Sequence, residues 1–320
     1  MTSRHETLSF PPTSVNVRAP DMIGNLIGNT PLVRLDKVVA DTPGITLFAK
    51  AEFINPSGSV KDRAARAIVL DGLASGKLAP GKTLLDATSG NTGIAFAMLG
   101  AALGFPVILY LPANASIERK SMIQSYGARI VETDPLEGSD GAYLAAKAAF
   151  DADPERYFFP DQYNNPANAE AHYQTTGVEI WEQTAHSVSH FVAILGTSGT
   201  FTGTAKRLKT FNPLIRALAV QPDSPMHGIE GVKHMASTLT PGILDAGLID
   251  ETLLISTEAA YAMTRRLARE EGLHVGWSSG ANVAAAANLA RILPSGAVIV
   301  TILCDNGLRY ASSGVWENAQ

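Results

Sequence analysis

A single cysteine, Cys304, stands in 320 residues, so neither an intramolecular disulfide nor a cysteine-rich metal site can form. That scarcity suits a reducing compartment, and a cytoplasmic setting is the expectation. Charge is sparse too: 17% of residues carry it, the net is -5, and no basic stretch interrupts the chain. Nucleic acids and anionic membrane surfaces are therefore not expected partners. No apolar run approaches the length of a membrane span; Ala297–Leu303, among the most apolar stretches, has the length of a strand. Residues 1–20 hold three prolines among scattered polar residues and no apolar core of the signal-peptide kind. They read as a disordered or surface-lying arm. His172, His190, His227, His234 and His274 share no metal-ligand spacing on a helix face, so no metal is expected.

What is present is ordinary globular material, 46% hydrophobic and rich in Ala and Gly, with length enough for two domains sharing a site. Short β-rich runs alternate with helical stretches. The strand candidates are Leu47–Ala51, Thr83–Ala87, Val107–Leu111, Arg129–Glu132, Phe191–Leu195, Ala217–Gln221 and Ala297–Cys304. Helices are expected over Asp62–Gly72, Ile94–Leu103, Ile117–Tyr126, Ala142–Asp151, Asn168–Gln183, Glu258–Glu271 and Ala281–Ile292. The last is Ala-rich on all sides and should be buried between other elements. Such alternation implies an α/β fold with parallel sheets covered on both faces. No repeat and no low-complexity linker marks a domain boundary.

Four segments break the pattern with glycine and small polar residues: Asn55–Asp62 (NPSGSVKD), Thr88–Gly93 (TSGNTG), Gly196–Thr200 (GTSGT) and Trp277–Gly280 (WSSG). Each sits where a helix is about to begin. Helix N-termini present unpaired N–H groups and the positive end of the dipole, so they collect anions. Glycine allows close backbone approach, and Ser and Thr hydroxyls add donors. Neither the Walker pattern nor Gly-x-Gly-x-x-Gly is matched, so nucleotide binding is not supported. One such loop is more often a tight turn than a site; four in one chain shift the balance to a site. Ser59 and Asp62 have capping-box spacing, which puts Lys61 in the first helical turn, where the dipole disfavours an ammonium. Near a partly buried cleft its pKa should fall and its amine become a better nucleophile. By spacing alone it remains an ordinary lysine.

Together these segments resemble the cysteine synthase (O-acetylserine sulfhydrylase) family, the β-replacement branch of the fold-type II pyridoxal-phosphate enzymes. The likeness runs from Ile23-Gly24-Asn25 and Ile27–Leu32 to Gly307–Tyr310, about nine-tenths of the chain. Asn55–Ala65, Asp161–Ile180 and Leu303–Gly307 look most like the cysteine synthase B subgroup. The resemblance implies the two-domain fold of the tryptophan synthase β-subunit. Its smaller domain would cover residues 55–165, and its larger, cofactor-binding domain residues 21–54 with 166–320. Lys61 matches the lysine that carries the cofactor and handles the proton at Cα. Asn91 matches the partner of the cofactor's phenolic oxygen. Gly196, Thr197, Ser198, Gly199 and Thr200 match the phosphate loop. Ser278 matches the hydroxyl at the pyridine nitrogen. Thr88, Ser89, Asn91 and Thr92, with Gln162, match the grip on the substrate carboxylate. A hydroxyl at the ring nitrogen makes a weaker electron sink than an acid would, which favours β-elimination over transamination.

The activity so implied converts O-acetyl-L-serine and a sulfur donor to L-cysteine and acetate, through bound α-aminoacrylate, in a homodimer. Two departures bear on the substrates. Asp223 stands near the place of the arginine that binds phosphate in relatives using O-phosphoserine, so that donor is disfavoured. Thiosulfate-using B forms carry paired arginines after Gly-Ile; here Gly228-Ile229-Glu230-Gly231 is followed by Lys233 and His234. Sulfide, thiosulfate and a sulfur-carrier protein all stay open as sulfur sources. Rivals sharing the fold are cystathionine β-synthase and serine or threonine dehydratase. A rival of another class is a non-catalytic binding protein, which retention of Lys61 and Thr88–Gly93 disfavours. Cys304 reads as a buried small residue rather than a nucleophile. Arg309 and Tyr310 could line the entrance or be structural.

Overall fold

A computed structural model describes residues 23–88 and 90–316. The expected N-terminal arm and Ser89 lie outside the described residues. The chain opens with strands β1 (Leu32–Arg34) and β2 (Thr46–Ala51), then helix α1 (Lys61–Ala74). Next come β3 (Thr83–Ala87), α2 (Asn91–Leu103), β4 (Val107–Pro112), α3 (Ile117–Ser125), β5 (Arg129–Thr133), α4 (Gly138–Ala152) and β6 (Tyr157–Phe158). Two consecutive helices, α5 (Pro166–Gln174) and α6 (Thr176–Gln183), lead into β7 (His190–Ile194), α7 (Gly199–Phe211) and β8 (Arg216–Pro222). The chain finishes with β9 (Glu251–Ile255), α8 (Thr257–Glu270), α9 (Trp277–Ala290) and β10 (Val298–Leu303).

Two sheets result. The larger has the order β1-β2-β10-β7-β8-β9 and is parallel except where β1 runs against β2. The smaller, β5-β4-β3-β6, is parallel throughout. Period-two alternation sorts the core. On β7, Val192 and Ile194 face the cluster under α8 and α9, while Phe191 and Ala193 face the one under α6 and α7. In the smaller sheet Leu84, Val107 and Leu109 pack with α1, α2 and α3. Every residue of α9 except Asn288 is buried, as its alanines lead one to expect.

Three sequence readings are corrected. The helix expected over residues 168–183 breaks at Thr175, whose hydroxyl donates to the Ala171 carbonyl at 2.6 Å and pulls the backbone out of helical geometry. The capping box does not form: Ser59 is drawn into a bridge with Asp305, and the Asp62 carboxylate turns back to accept from Ser57 N at 2.7 Å and from the Ser57 hydroxyl. Finally β1, β6 and β9 were not foreseen; all lie at sheet edges or are very short, with weak patterning.

An ionic knot anchors α1 just past Lys61. Arg63 pairs with Glu52 at 2.7 Å and with Glu179 at 2.6 Å, and fully buried Lys50 pairs with Glu179 at 2.6 Å. Burial alone would raise the Glu179 carboxyl, but the hydrogen bonds and charges of Arg63 and Lys50 together outweigh it and hold the pKa at about 2. Removing one partner from such a knot typically costs about 3–5 kcal/mol, because it strands a buried charge.

Candidate active site

Parallel strands deliver their following loops to one edge, and here the C-terminal ends of β3, β7 and β10 converge. A cavity of about 630 Å³ opens there. Lys61, Asn91, Thr92, Gly196, Thr197, Ser198, Thr200 and Ser278 all line it. An adjoining cavity of about 350 Å³ is lined by Lys61, Thr92, Gly196 and Thr197 again, with Thr88 and Gln162. Of the described residues assigned to the site from the sequence, only Gly199 borders neither cavity.

Lys61 is the first residue of α1. Burial pushes its ammonium below the ordinary lysine value, against the opposing charge of Asp305. The expected direction holds, but burial is the leading cause. Cys304 sits beside it, and burial pushes the thiol up to about 12, so it is no thiolate. Ser278 lies in the first turn of α9, buried against the same thiol.

At the start of α7, Ser198 adopts a left-handed conformation (φ 70°) and its buried hydroxyl has no hydrogen-bond partner among the described residues. Gly196 is required because a side chain there would meet the Gly231 carbonyl at 2.6 Å. A Cβ at Gly199 would meet Asn168 Oδ1 at 1.9 Å. The threonine hydroxyls are held from behind by α5. Asn168 Nδ2 donates to Thr197 Oγ1 at 3.1 Å and to the Gln162 carbonyl at 2.8 Å. His172 Nε2 lies 3.2 Å from Thr200 Oγ1, and its Nδ1 lies 2.9 Å from Thr176 Oγ1. Burial, aided by the charge of Arg63, drives the His172 pKa down to about 3, so the ring is neutral. An orphan hydroxyl beside the first turn of a thirteen-residue helix fits a phosphate, which supplies acceptor oxygens and negative charge.

On the other wall, Thr88 Oγ1 accepts from Gly90 N at 2.9 Å and Gly93 N at 3.3 Å, closing the loop on itself. Gly90 has φ 145°, and a Cβ there would strike Arg119 Cδ at 2.3 Å. Thr92 donates to Gln162 Oε1 at 2.8 Å, while Gln162 Nε2 donates to the Ala87 carbonyl at 2.8 Å and to Asp86 at 3.1 Å. Asn91 Nδ2 donates to Asp305 Oδ2 at 2.7 Å, and its Oδ1 accepts from Arg309. Arg119 pairs with Glu230, and Lys233 with Asp140 at 2.8 Å, so each cation at the mouth already has an acid.

Sequence reasoning passed over Asn168 and Asp305 and gave His172 no role, although all three hold a foreseen site residue in place. The signals were there in the resemblance itself: Asp305 lies within Leu303–Gly307, and Asn168 and His172 within Asp161–Ile180.

Residues 23–305 match the model of the family described as pyridoxal-phosphate dependent enzyme. Over 306 residues the chain is 49% identical to a cysteine synthase of Aquifex aeolicus (strain VF5), covering 94% of each chain. It is 44% identical to cysteine synthase B of Pseudomonas aeruginosa, over 92% of this chain and 97% of that one. The crystal structure of cysteine synthase (OASS) from Entamoeba histolytica superposes with a TM-score of 0.88 at 34% identity, covering 98% of this chain and 95% of that one. Likeness of this extent, in sequence and in backbone alike, means that the chain belongs to the cysteine synthase branch of the pyridoxal-phosphate dependent enzymes.

Proposed function

We propose that this chain makes L-cysteine by β-replacement, exchanging the acetate of O-acetyl-L-serine for sulfide. One observation carries the reading. A lysine whose charge is disfavoured by burial faces the same cavity as an orphan serine hydroxyl at a helix start. Pyridoxal phosphate, when bound, supplies the electron sink that lets the Cα–H bond of an amino acid break. Lys61 would hold it covalently, Gly196 to Thr200 its phosphate, Asn91 its phenolic oxygen and Ser278 its ring nitrogen. Thr88, Ser89, Asn91, Thr92 and Gln162 are assigned to the substrate carboxylate, with Gln162 acting by holding the Thr92 hydroxyl.

Lys61 Nζ takes the Cα proton and returns it at the end, a role suited to an amine that burial keeps from being firmly protonated. The Cβ–O bond breaks with its electron pair leaving on acetate, and a sulfur lone pair forms the Cβ–S bond. Sulfide is the favoured donor because Arg119 and Lys233 are already neutralised by Glu230 and Asp140, leaving the mouth without an obvious seat for a dianion. Exposed Asp223 argues against O-phosphoserine. The assignment of residues 55–165 to a smaller domain, the homodimer and the cytoplasmic setting belong to this reading. For the membrane, the described residues include no helix long and apolar enough to cross one.

Protein reconstituted with pyridoxal phosphate should absorb in the visible, change spectrum with O-acetylserine alone, and recover it when sulfide is added. Lys61→Ala should lower cysteine formation by roughly a thousandfold or more, as removal of a covalent catalytic group does. A protein that cannot be reconstituted sinks the proposal. So does one inert to O-acetylserine that joins serine and homocysteine instead.

A further inference from the structure

The Asn91 side chain lies between two groups that can each bond in only one sense. Its Nδ2 donates to Asp305 Oδ2 at 2.7 Å, and its Oδ1 accepts from Arg309 Nη1. A carboxylate accepts and a guanidinium donates. Turning the amide over would set N–H against N–H and oxygen against oxygen, so the chemistry of the neighbours decides an orientation that coordinates alone leave ambiguous. One Nδ2 hydrogen serves Asp305; the other is left for the cavity that Asn91 lines.

We infer that Asp305 and Arg309 are positioning residues that lock the Asn91 amide with an N–H, not its oxygen, offered to the cavity. The inference rests on the proposed cofactor site, where such a donor would meet the phenolic oxygen. Three further features fit. Asp305 is wholly buried, and its Oδ1 finds no hydrogen-bond partner among the described residues, a costly arrangement for packing alone. The Tyr310 hydroxyl donates to the same Oδ2 at 2.7 Å and steadies the carboxylate. Arg309 also donates to the Ser57 carbonyl, which ties the lock to the loop that leads into Lys61.

The test is a double-mutant cycle read by cofactor binding and spectrum as well as by turnover. In Asp305→Leu the affinity for pyridoxal phosphate should fall about tenfold, the scale of one lost hydrogen bond to a charged group. The pH at which the bound cofactor's visible absorbance titrates should rise, because a donor to its oxyanion is lost. In an Asn91→Ala background the same change should add little, since the two residues act through one bond. Tyr310→Phe leaves both Asn91 partners in place and removes only a brace on the carboxylate, so its titration should shift in the same sense but by clearly less than in Asp305→Leu. Asp305→Leu with an unshifted titration, or a shift undiminished in Asn91→Ala, or an equal shift in Tyr310→Phe, overturns the inference. Should Asp305→Leu fail to fold, Arg309→Met removes the opposite half of the lock and should shift the titration the same way; an unshifted titration there overturns it equally. Failure of the wild type to bind pyridoxal phosphate would instead sink the cofactor reading, and is seen before any variant is made.

Discussion

On the large-sheet side of the cavity, Thr197 and Thr200 are held from behind by Asn168 and His172, both buried to within 2% of full enclosure. On the small-sheet side, the loop through Gly90 leans on Arg119, whose partner Glu230 belongs to the opposite wall and is 39% exposed. Lys233 and Asp140 repeat that arrangement, a buried cation against a half-buried acid across the cleft. The wall proposed for the phosphate is thus held by buried contacts from α5 behind it. The wall proposed for the substrate is fixed partly by ion pairs that exist only while the two sides stay together. A group that remains through turnover and one that enters and leaves call for these two kinds of support.

The contrast breaks hardest at a single methyl group. In Gly199→Ala the new Cβ would sit 1.9 Å from Asn168 Oδ1, so Asn168 must swing away and give up both Thr197 Oγ1 and the Gln162 carbonyl. Affinity for pyridoxal phosphate should fall about thirtyfold, as loss of two buried hydrogen bonds at about 1 kcal/mol each implies. In Gly90→Ala the obstacle is the aliphatic part of the long Arg119 side chain, together with an unfavourable φ of 145°. There the KM for O-acetylserine should rise about tenfold with cofactor affinity unchanged. Equilibrium binding and initial rates decide; equal losses of cofactor affinity in both variants would erase the distinction between the walls.

That distinction was only half legible in the sequence. Gly196–Thr200 and Thr88–Gly93 could be found because glycine and hydroxyl residues directly after an apolar run interrupt the period that defines a strand. Lys61 does open α1, although the Ser59–Asp62 spacing that pointed there forms no capping box, and the alternation of strands and helices was enough for parallel sheets. What holds those residues was not legible. Asn91 and Asp305 are 214 positions apart, and Thr200 and His172 are 28 apart, so no local pattern connects them. Ser59 and Asp62 mislead for the same reason: a distant strand end captures Ser59 and dissolves the local cap. Local rules predict where the chain turns; supporting contacts depend on which turns meet.

The packed wall should also carry an acid sensitivity of its own. His172 has a folded pKa near 3 against an ordinary 6.5, so between those values the unfolded chain binds more protons than the native one. Its contribution is fully present above pH 6.5 and is lost as pH falls through the window. Asp62 works in the opposite sense: burial raises its pKa to about 6, so stability is lost as pH rises from about 4 to about 6. Comparing variants cancels the Asp62 effect. His172→Gln should flatten the acid limb by about 3 kcal/mol between pH 6.5 and 4, read from denaturant unfolding at each pH. A slope identical to the wild type would show that His172 is not held neutral.

The smallest effect belongs to the ion pairs, and it separates the walls most cleanly. Glu230→Gln and Asp140→Asn each replace a partly exposed acid by an amide whose oxygen can still accept from the buried cation, so the loss should stay near that of exposed pairs, about 1 kcal/mol or less, rather than that of a buried charge left bare. That corresponds to a two- to fivefold rise in the KM for O-acetylserine, with cofactor affinity little changed because the hydrogen bonds of both acids go to Arg119, Lys233 and Leu239 rather than to the α7 loop. Added salt should reproduce part of the rise in the wild type and little of it in the double variant, since screening acts only where a pair remains. If salt raised KM equally in both, closure would not depend on these pairs. The small-sheet wall would then be held by its packing alone, like the wall it faces.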